Sequence, residues 1–179
     1  TTYMGPNTTI NADALQSGNG GKVAIWSNGT TRASGTITAR GAKGGKGGFV
    51  ETSGHKLNIN GIHVNTGGGK WLIDPTDLTI AANGGDITGA QLGSNLDNNN
   101  VTILSTSGAT AGNGDIFVND AVTWSGSTSL TLSAFRDINV NSAITGTGAN
   151  SSVVLRADNT GTNIGTVNFA GGSVNVTGS

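Results

Sequence analysis

The chain has 179 residues, 31 of them Gly, two Pro and none Cys; 11% are charged, 4% are aromatic, and the formal net charge is −1. Glycine stands at more than double its ordinary share, and Leu, Met and Phe are too few for amphipathic helices, so a conventional helical core is excluded and the chain is expected to be almost entirely β. Without Cys there are no disulfide frameworks, thiolate metal sites or Cys nucleophiles, and the balanced charge gives no overall attraction to nucleic acid or an anionic membrane.

In chain order, short apolar bursts predict strands at 23–26, 36–39, 49–50, 57–59, 62–64, 71–73 and 78–80. After an interruption they resume at 101–104, 116–118, 122–124, 130–132, 138–140, 153–155, 167–169 and 174–176. Most alternate, as in Leu57-Asn58-Ile59 and Val174-Asn175-Val176, which buries one face of each strand. Recurring Val and Ile argue against disorder, and Gly is read as turn punctuation. The interruption contains Ile87, Leu92 and Leu96, spaced for a short helix near residues 87–97. Thr88 is its expected cap and the Asn run its end, with Gly89 and Gly93 expected to weaken it. No run of about 18 apolar residues is present, so no bilayer-spanning helix is expected.

Gly20-Gly21-Lys22-Val23 aligns with Gly47-Gly48-Phe49-Val50 at a spacing of 27, and Ile116, Ile138 and Leu155 are 22 and 17 apart. Irregular spacings around twenty fit solenoid coils of two or three short strands better than a sandwich, which would show hairpin turns between paired strands. About 22 residues per coil predicts roughly eight coils and a rod of about 40 Å. The expectation is one continuous parallel β-helix over 1–179, with coils at 1–80 and 101–179 and an irregular insertion at 81–100. The start at Thr1-Thr2, without a signal-like apolar segment, leads to the expectation of an internal piece of a longer protein.

The run Gly-Gly-Phe-Val-Glu-Thr-Ser-Gly-His (47–55), then Leu57-Asn58-Ile59, then Lys-Trp-Leu-Ile-Asp-Pro-Thr-Asp-Leu-Thr-Ile (70–80), closely resembles the filamentous-haemagglutinin-like exoproteins of two-partner secretion. Gly114-Asp115-Ile116-Phe117-Val118-Asn119 and the stretch from Leu130 to Val140, ending Asp137-Ile138-Asn139-Val140, look like that family's downstream repeats. The resemblance covers roughly residues 20–178. It implies a right-handed parallel β-helix, exported through an outer-membrane secretion barrel and secreted from, or displayed on, the surface of a Gram-negative bacterium. The Asn-Pro-Asn-Gly type motif of the family's secretion domain is not found here, which places the chain after that domain, at the start of the rod. The implied function is a structural and adhesive rod segment mediating cell-surface, cell-cell or biofilm-matrix attachment. The alternatives are a β-helix enzyme acting on polysaccharide and a stalk carrying haem or a toxin.

Candidate sites are few. Residues 1–73 hold seven basic and two acidic side chains, and residues 74–179 two basic and eight acidic ones. The basic set Arg32, Arg40, Lys43, Lys46, Lys56 and Lys70 is the candidate ligand-binding patch. Coils about 5 Å apart can align cations distant in sequence against an anionic polysaccharide, the alternative being a solvated loop around Gly44–Gly48. For an enzyme the acids would be Asp74 with Asp77, or Asp115 with Asp137 on adjacent coils. Asp-Pro-Thr-Asp is also a natural turn and the two Asp-Ile pairs natural strand starts, so no catalytic residue is assigned. His55 and His63, with Glu51, have no metal-site spacing, and neither metal nor cofactor is expected. Asn7, Asn28, Asn100, Asn150 and Asn175 open glycosylation sequons, as chance allows in so Asn- and Thr-rich a chain. Trp26, Trp71 and Trp124 are widely separated; Trp71 lies in an apolar run and is expected in the core. The expected partners are the secretion barrel during export and a polysaccharide or cell-surface ligand, with no nucleic acid.

Overall fold

The computed structural model describes residues 1–106 and 113–177. Strands β1 (Thr2–Met4) and β2 (Thr9–Asn11) lead into six stacked coils. The first three are β3 (Lys22–Trp26), β4 (Thr30–Ala33), β5 (Gly35–Thr38); β6 (Phe49–Ser53), β7 (Lys56–Asn58), β8 (Ile62–Asn65); and β9 (Lys70–Asp74), β10 (Leu78–Ile80), α1 (Gly89–Leu96). The next three are β11 (Asn100–Leu104), β12 (Ile116–Val118), β13 (Val122–Trp124); β14 (Ser129–Ser133), β15 (Ile138–Val140), β16 (Ile144–Gly146); and β17 (Ser152–Arg156), β18 (Val167–Phe169), β19 (Val174–Val176). Among the described residues every strand pairing is parallel and joins neighbouring coils. The fold is a parallel β-helix, as expected.

One sheet, β3-β6-β9-β11-β14-β17, runs through all six coils. Its inward side chains form two columns, Val23-Val50-Trp71-Val101-Leu130-Val153 and Ile25-Thr52-Ile73-Ile103-Leu132-Leu155. The four middle members of each column are buried, and each buried aliphatic side chain contributes about 1.5–3 kcal/mol. Thr52 is the polar member because Trp71 needs it: the indole Nε1–H donates to Thr52 Oγ1 at 3.2 Å, satisfying a donor that water cannot reach.

Coil length differs from the expectation. The steps are 27 residues from Lys22 to Phe49, 21 from Phe49 to Lys70, 30 from Lys70 to Asn100 and 23 from Ser129 to Ser152. Six coils, not eight, therefore use the chain, because connections such as 39–48 and 157–166 enlarge the corners. The 22-residue step from Ile116 to Ile138 is a true coil repeat, whereas Leu155 pairs with Leu132 on a different face.

The expected helix is present and takes the place of a strand. The third face is split into β2-β5-β8 and β13-β16-β19, and α1 lies between β8 and β13. Thr88 caps it, its Oγ1 accepting from Gln91 N–H at 3.1 Å. Toward β8, amide side chains four residues apart replace a backbone ladder. Gln91 Nε2 and Asn95 Nδ2 donate to Ile62 O at 2.9 and 3.0 Å, and Val64 N–H donates to Asn95 Oδ1 at 2.6 Å. Asn99 Nδ2 donates to Val64 O at 2.8 Å while Thr66 N–H donates to Asn99 Oδ1 at 2.8 Å. Toward β13 the helix approaches so closely that a Cβ on Gly89 or Gly93 would lie 2.0 or 2.2 Å from the carbonyl oxygen of Ala121 or Thr123. Those glycines, expected to weaken the helix, are what allows it to dock.

Candidate functional site

Three of the four acids singled out as enzyme candidates, Asp77, Asp115 and Asp137, are engaged in joining coils. Asp77, Asp115 and Asp137 each precede a strand, and those strands stack in the register Leu78-Ile116-Ile138-Val167. Asp77 Oδ1 accepts the N–H groups of Asn113, Gly114 and Asp115 at 3.0, 2.7 and 2.7 Å. Asp115 takes Asp137 N–H at 3.0 Å and both Nε and Nη2 of Arg136. Asp137 Oδ1 accepts Thr166 N–H at 2.9 Å. Each carboxylate thus satisfies backbone donors one coil further on, where a corner would otherwise leave them unpaired. Asp115 and Asp137 do lie on adjacent coils, held by this ladder.

Asp86 and Asp74 differ. Asp86 sits where the second face is interrupted between β7 and β10, its Oδ2 accepting Thr79 N–H at 2.8 Å, and burial pushes its carboxyl up to about 6. Asp74 projects outward from the end of β9 beside Ser53, and burial, then the nearby Glu51 carboxylate, raise its pKa. Glu51 in turn accepts the Ser53 hydroxyl at 2.5 Å.

The two histidines do not meet. His55 lies at the corner between β6 and β7, 3.3 Å from Thr76 Oγ1, and His63 is exposed on β8. Among the described residues no group of three or more His, Asp or Glu side chains is arranged to hold a metal ion.

The six basic residues divide among different surfaces. Arg32 (β4) and Lys56 (β7) lie on the second face, where Thr30 pairs with Lys56 and Arg32 with Asn58. Arg40 is bound to Asp13, which receives its Nη2, Nε and backbone N–H at 2.6, 3.0 and 2.6 Å. That guanidinium holds the Asp13 carboxyl below the usual carboxylate range. Lys43 is exposed on the 41–48 connection. Lys46 and Lys70 do come together, lining one groove of about 550 Å³ with Asn100 at its edge. Neither lysine makes an ion pair among the described residues.

The groove floor is bare backbone. A Cβ on Gly48 would stand 2.3 Å from Gly21 O and one on Gly69 2.2 Å from Gly48 O, so coil stacking at this corner requires glycine and leaves bare backbone on a surface that Lys46 and Lys70 also line. Asn100 is fixed at both ends of its amide, donating to Gly68 O at 2.8 Å and accepting from Ser129 N–H at 3.0 Å. Lys22, not among the sequence candidates, begins β3 in the same outward row, Lys22-Phe49-Lys70. Only the coil lengths of 27 and 21 residues reveal that alignment.

At the other end of these strands is a smaller pocket of about 220 Å³, bordered by Trp26, Ser53, His55, Asp74 and Thr76. Trp26 is 58% exposed, whereas Trp71 and Trp124 are 0% and 2% exposed. No helix among the described residues is long and apolar enough to cross a membrane.

These features define a solenoid protein of the parallel β-helix class. No protein-family model matches the chain, and no curated protein matches its sequence significantly.

Proposed function

We propose that the chain is a structural and adhesive rod segment of a large secreted bacterial adhesin, exported by two-partner secretion and meeting anionic polysaccharide at the Lys46–Lys70 groove. The groove itself carries this reading: two lysines that make no ion pair among the described residues line it together with a glycine floor. Carboxylate or sulfate groups of a glycan would be drawn there by charge and held by backbone dipoles. Three of the four candidate acids, Asp77, Asp115 and Asp137, are committed to hydrogen bonds between coils, which leaves Asp74 without the second carboxylate of either candidate pair and supports a scaffold over a polysaccharide-cleaving enzyme. Pairing only between adjacent coils lets folding proceed coil by coil as a chain emerges from a pore, and the lack of Cys removes any need for an oxidant.

The test of export is labelling of intact source cells with an antibody against this chain. Surface or culture-fluid signal, lost when the partner outer-membrane barrel is deleted, is the expected result. Signal obtained only after lysis overturns the reading.

A further inference from the structure

The outward row at the far end of the long sheet begins Trp26, Ser53, Asp74. Strands in a sheet lie about 4.8 Å apart, so the backbones of Trp26 and Asp74 stand about 10 Å apart across Ser53. Ser53 is buried and its hydroxyl is turned to Glu51, so the middle position is a low floor between two walls. Among the described residues no group donates a hydrogen bond to the Asp74 carboxylate, while Asp77, Asp115 and Asp137 all have donors. A solvent-facing indole, an acceptor with no donor among the described residues, and an open pocket of about 220 Å³ are complementary to a ring with an apolar C–H face and hydroxyl groups at its edge.

We propose that this pocket binds one uncharged pyranose unit of a glycan, its C–H face stacked on Trp26 and its edge hydroxyls donating to Asp74. The site is separate in place and chemistry from the lysine groove, so it goes beyond the anionic-polysaccharide reading and stands or falls independently. Glu51 and Asp74 repel an acidic sugar, and burial beside Glu51 already raises the Asp74 pKa. A single aromatic wall lacks the cage that quaternary ammonium ligands require.

The experiment uses the intact chain with methyl β-glucopyranoside, methyl β-galactopyranoside and N-acetylglucosamine as probes, read by saturation-transfer NMR and by acrylamide quenching. Because Trp26 is the exposed indole, quenching reports on it selectively. At least one of these sugars is expected to bind at about millimolar affinity, as suits so small a ligand, and to reduce quenching about twofold. Trp26→Ala is expected to abolish binding, and Asp74→Ala to weaken it about tenfold, a factor equal to one hydrogen bond to a charged group. Trp26→Ala removes an exposed side chain, and unchanged circular dichroism establishes that it folds. Lys46→Glu/Lys70→Glu is expected to leave sugar binding unchanged. The proposal is overturned if none of the three sugars binds, if binding survives Trp26→Ala, or if methyl glucuronide or tetramethylammonium binds more tightly than every uncharged sugar.

Discussion

Asp115 and Arg136, 21 residues apart, form a two-pronged ion pair between neighbouring coils: the guanidinium Nε and Nη2 donate to the two carboxylate oxygens at 2.8 and 2.5 Å. The Asp115 side chain is 5% exposed and that of Arg136 35%. Removing Asp115 leaves Arg136 with its 3.4 Å contact to Asp137 Oδ2 and with solvent, and leaves Asp137 N–H without its acceptor. Asp115→Ala is therefore expected to cost about 1–3 kcal/mol, the cost of leaving a buried backbone donor unsatisfied, measured as a lower urea midpoint with an unchanged denaturant slope. A loss under about 0.5 kcal/mol, the range of ordinary surface changes, would show that the pair does not hold the coils together.

The docking of α1 gives a test of sign. On an isolated helix Gly93→Ala would gain about 1 kcal/mol, but here the new Cβ would meet Thr123 O at 2.2 Å. Gly93→Ala is expected to destabilise by about 1–3 kcal/mol through overpacking, whereas Ser94→Ala, at an exposed position on the same helix, should be neutral or slightly stabilising. Thermal midpoints of the two variants decide the matter.

Asn99 provides a residue-level readout. Its amide serves Val64 O and Thr66 N–H where β8 lacks a neighbouring strand. Asn99→Leu leaves those buried groups unpaired, at about 1–3 kcal/mol each. Hydrogen exchange at Thr66 is expected to accelerate at least tenfold, while the amides of β17, in the last coil, move only with global stability.

Asp86 sets a pH dependence. Its folded pKa of about 6 lies above its ordinary value of 3.8, so the native state binds the proton more tightly between those values and stability falls as pH rises from about 4 to 6. Asp74, also raised, acts in the same direction and is common to the native chain and the Asp86 variant, whereas the opposite shifts at Asp13 and Asp158 act as pH falls below about 4, outside this window. Asp86→Asn keeps an acceptor for Thr79 N–H and removes the titration. Its stability relative to the native chain is expected to be greater at pH 7 than at pH 4.5 by about 1–3 kcal/mol, measured by paired urea titrations.

Much of this architecture was legible because alternation survives in the strands: every apolar burst from 23–26 to 174–176 overlaps a strand. Strand β4, Thr-Thr-Arg-Ala, escaped notice because its inward residues are Thr31 and Ala33, and Thr31 is buried only by virtue of its 2.7 Å bond to Ser53 O. The Asp-Ile repeats were readable as strand starts, but their service to the next coil depends on register. Helix α1 was visible in Ile87, Leu92 and Leu96, while its amide edge was hidden in an Asn-rich run that reads as a loop. The basic set could not be resolved into separate faces without coil lengths, and the same lengths are needed to place Trp26, Ser53 and Asp74 side by side.

The central claim, that Lys46 and Lys70 beside the glycine floor form the polysaccharide contact, is tested most directly by retention on immobilised dextran sulfate at about 0.15 M salt, where long-range charge is screened beyond about 8 Å. Lys46→Glu/Lys70→Glu reverses the groove; Arg32→Glu/Lys56→Glu makes the same net charge change on the second face. The account predicts at least a tenfold loss of affinity for the groove variant and less than a threefold loss for the other. Equal losses in both variants, or none in either, would contradict it.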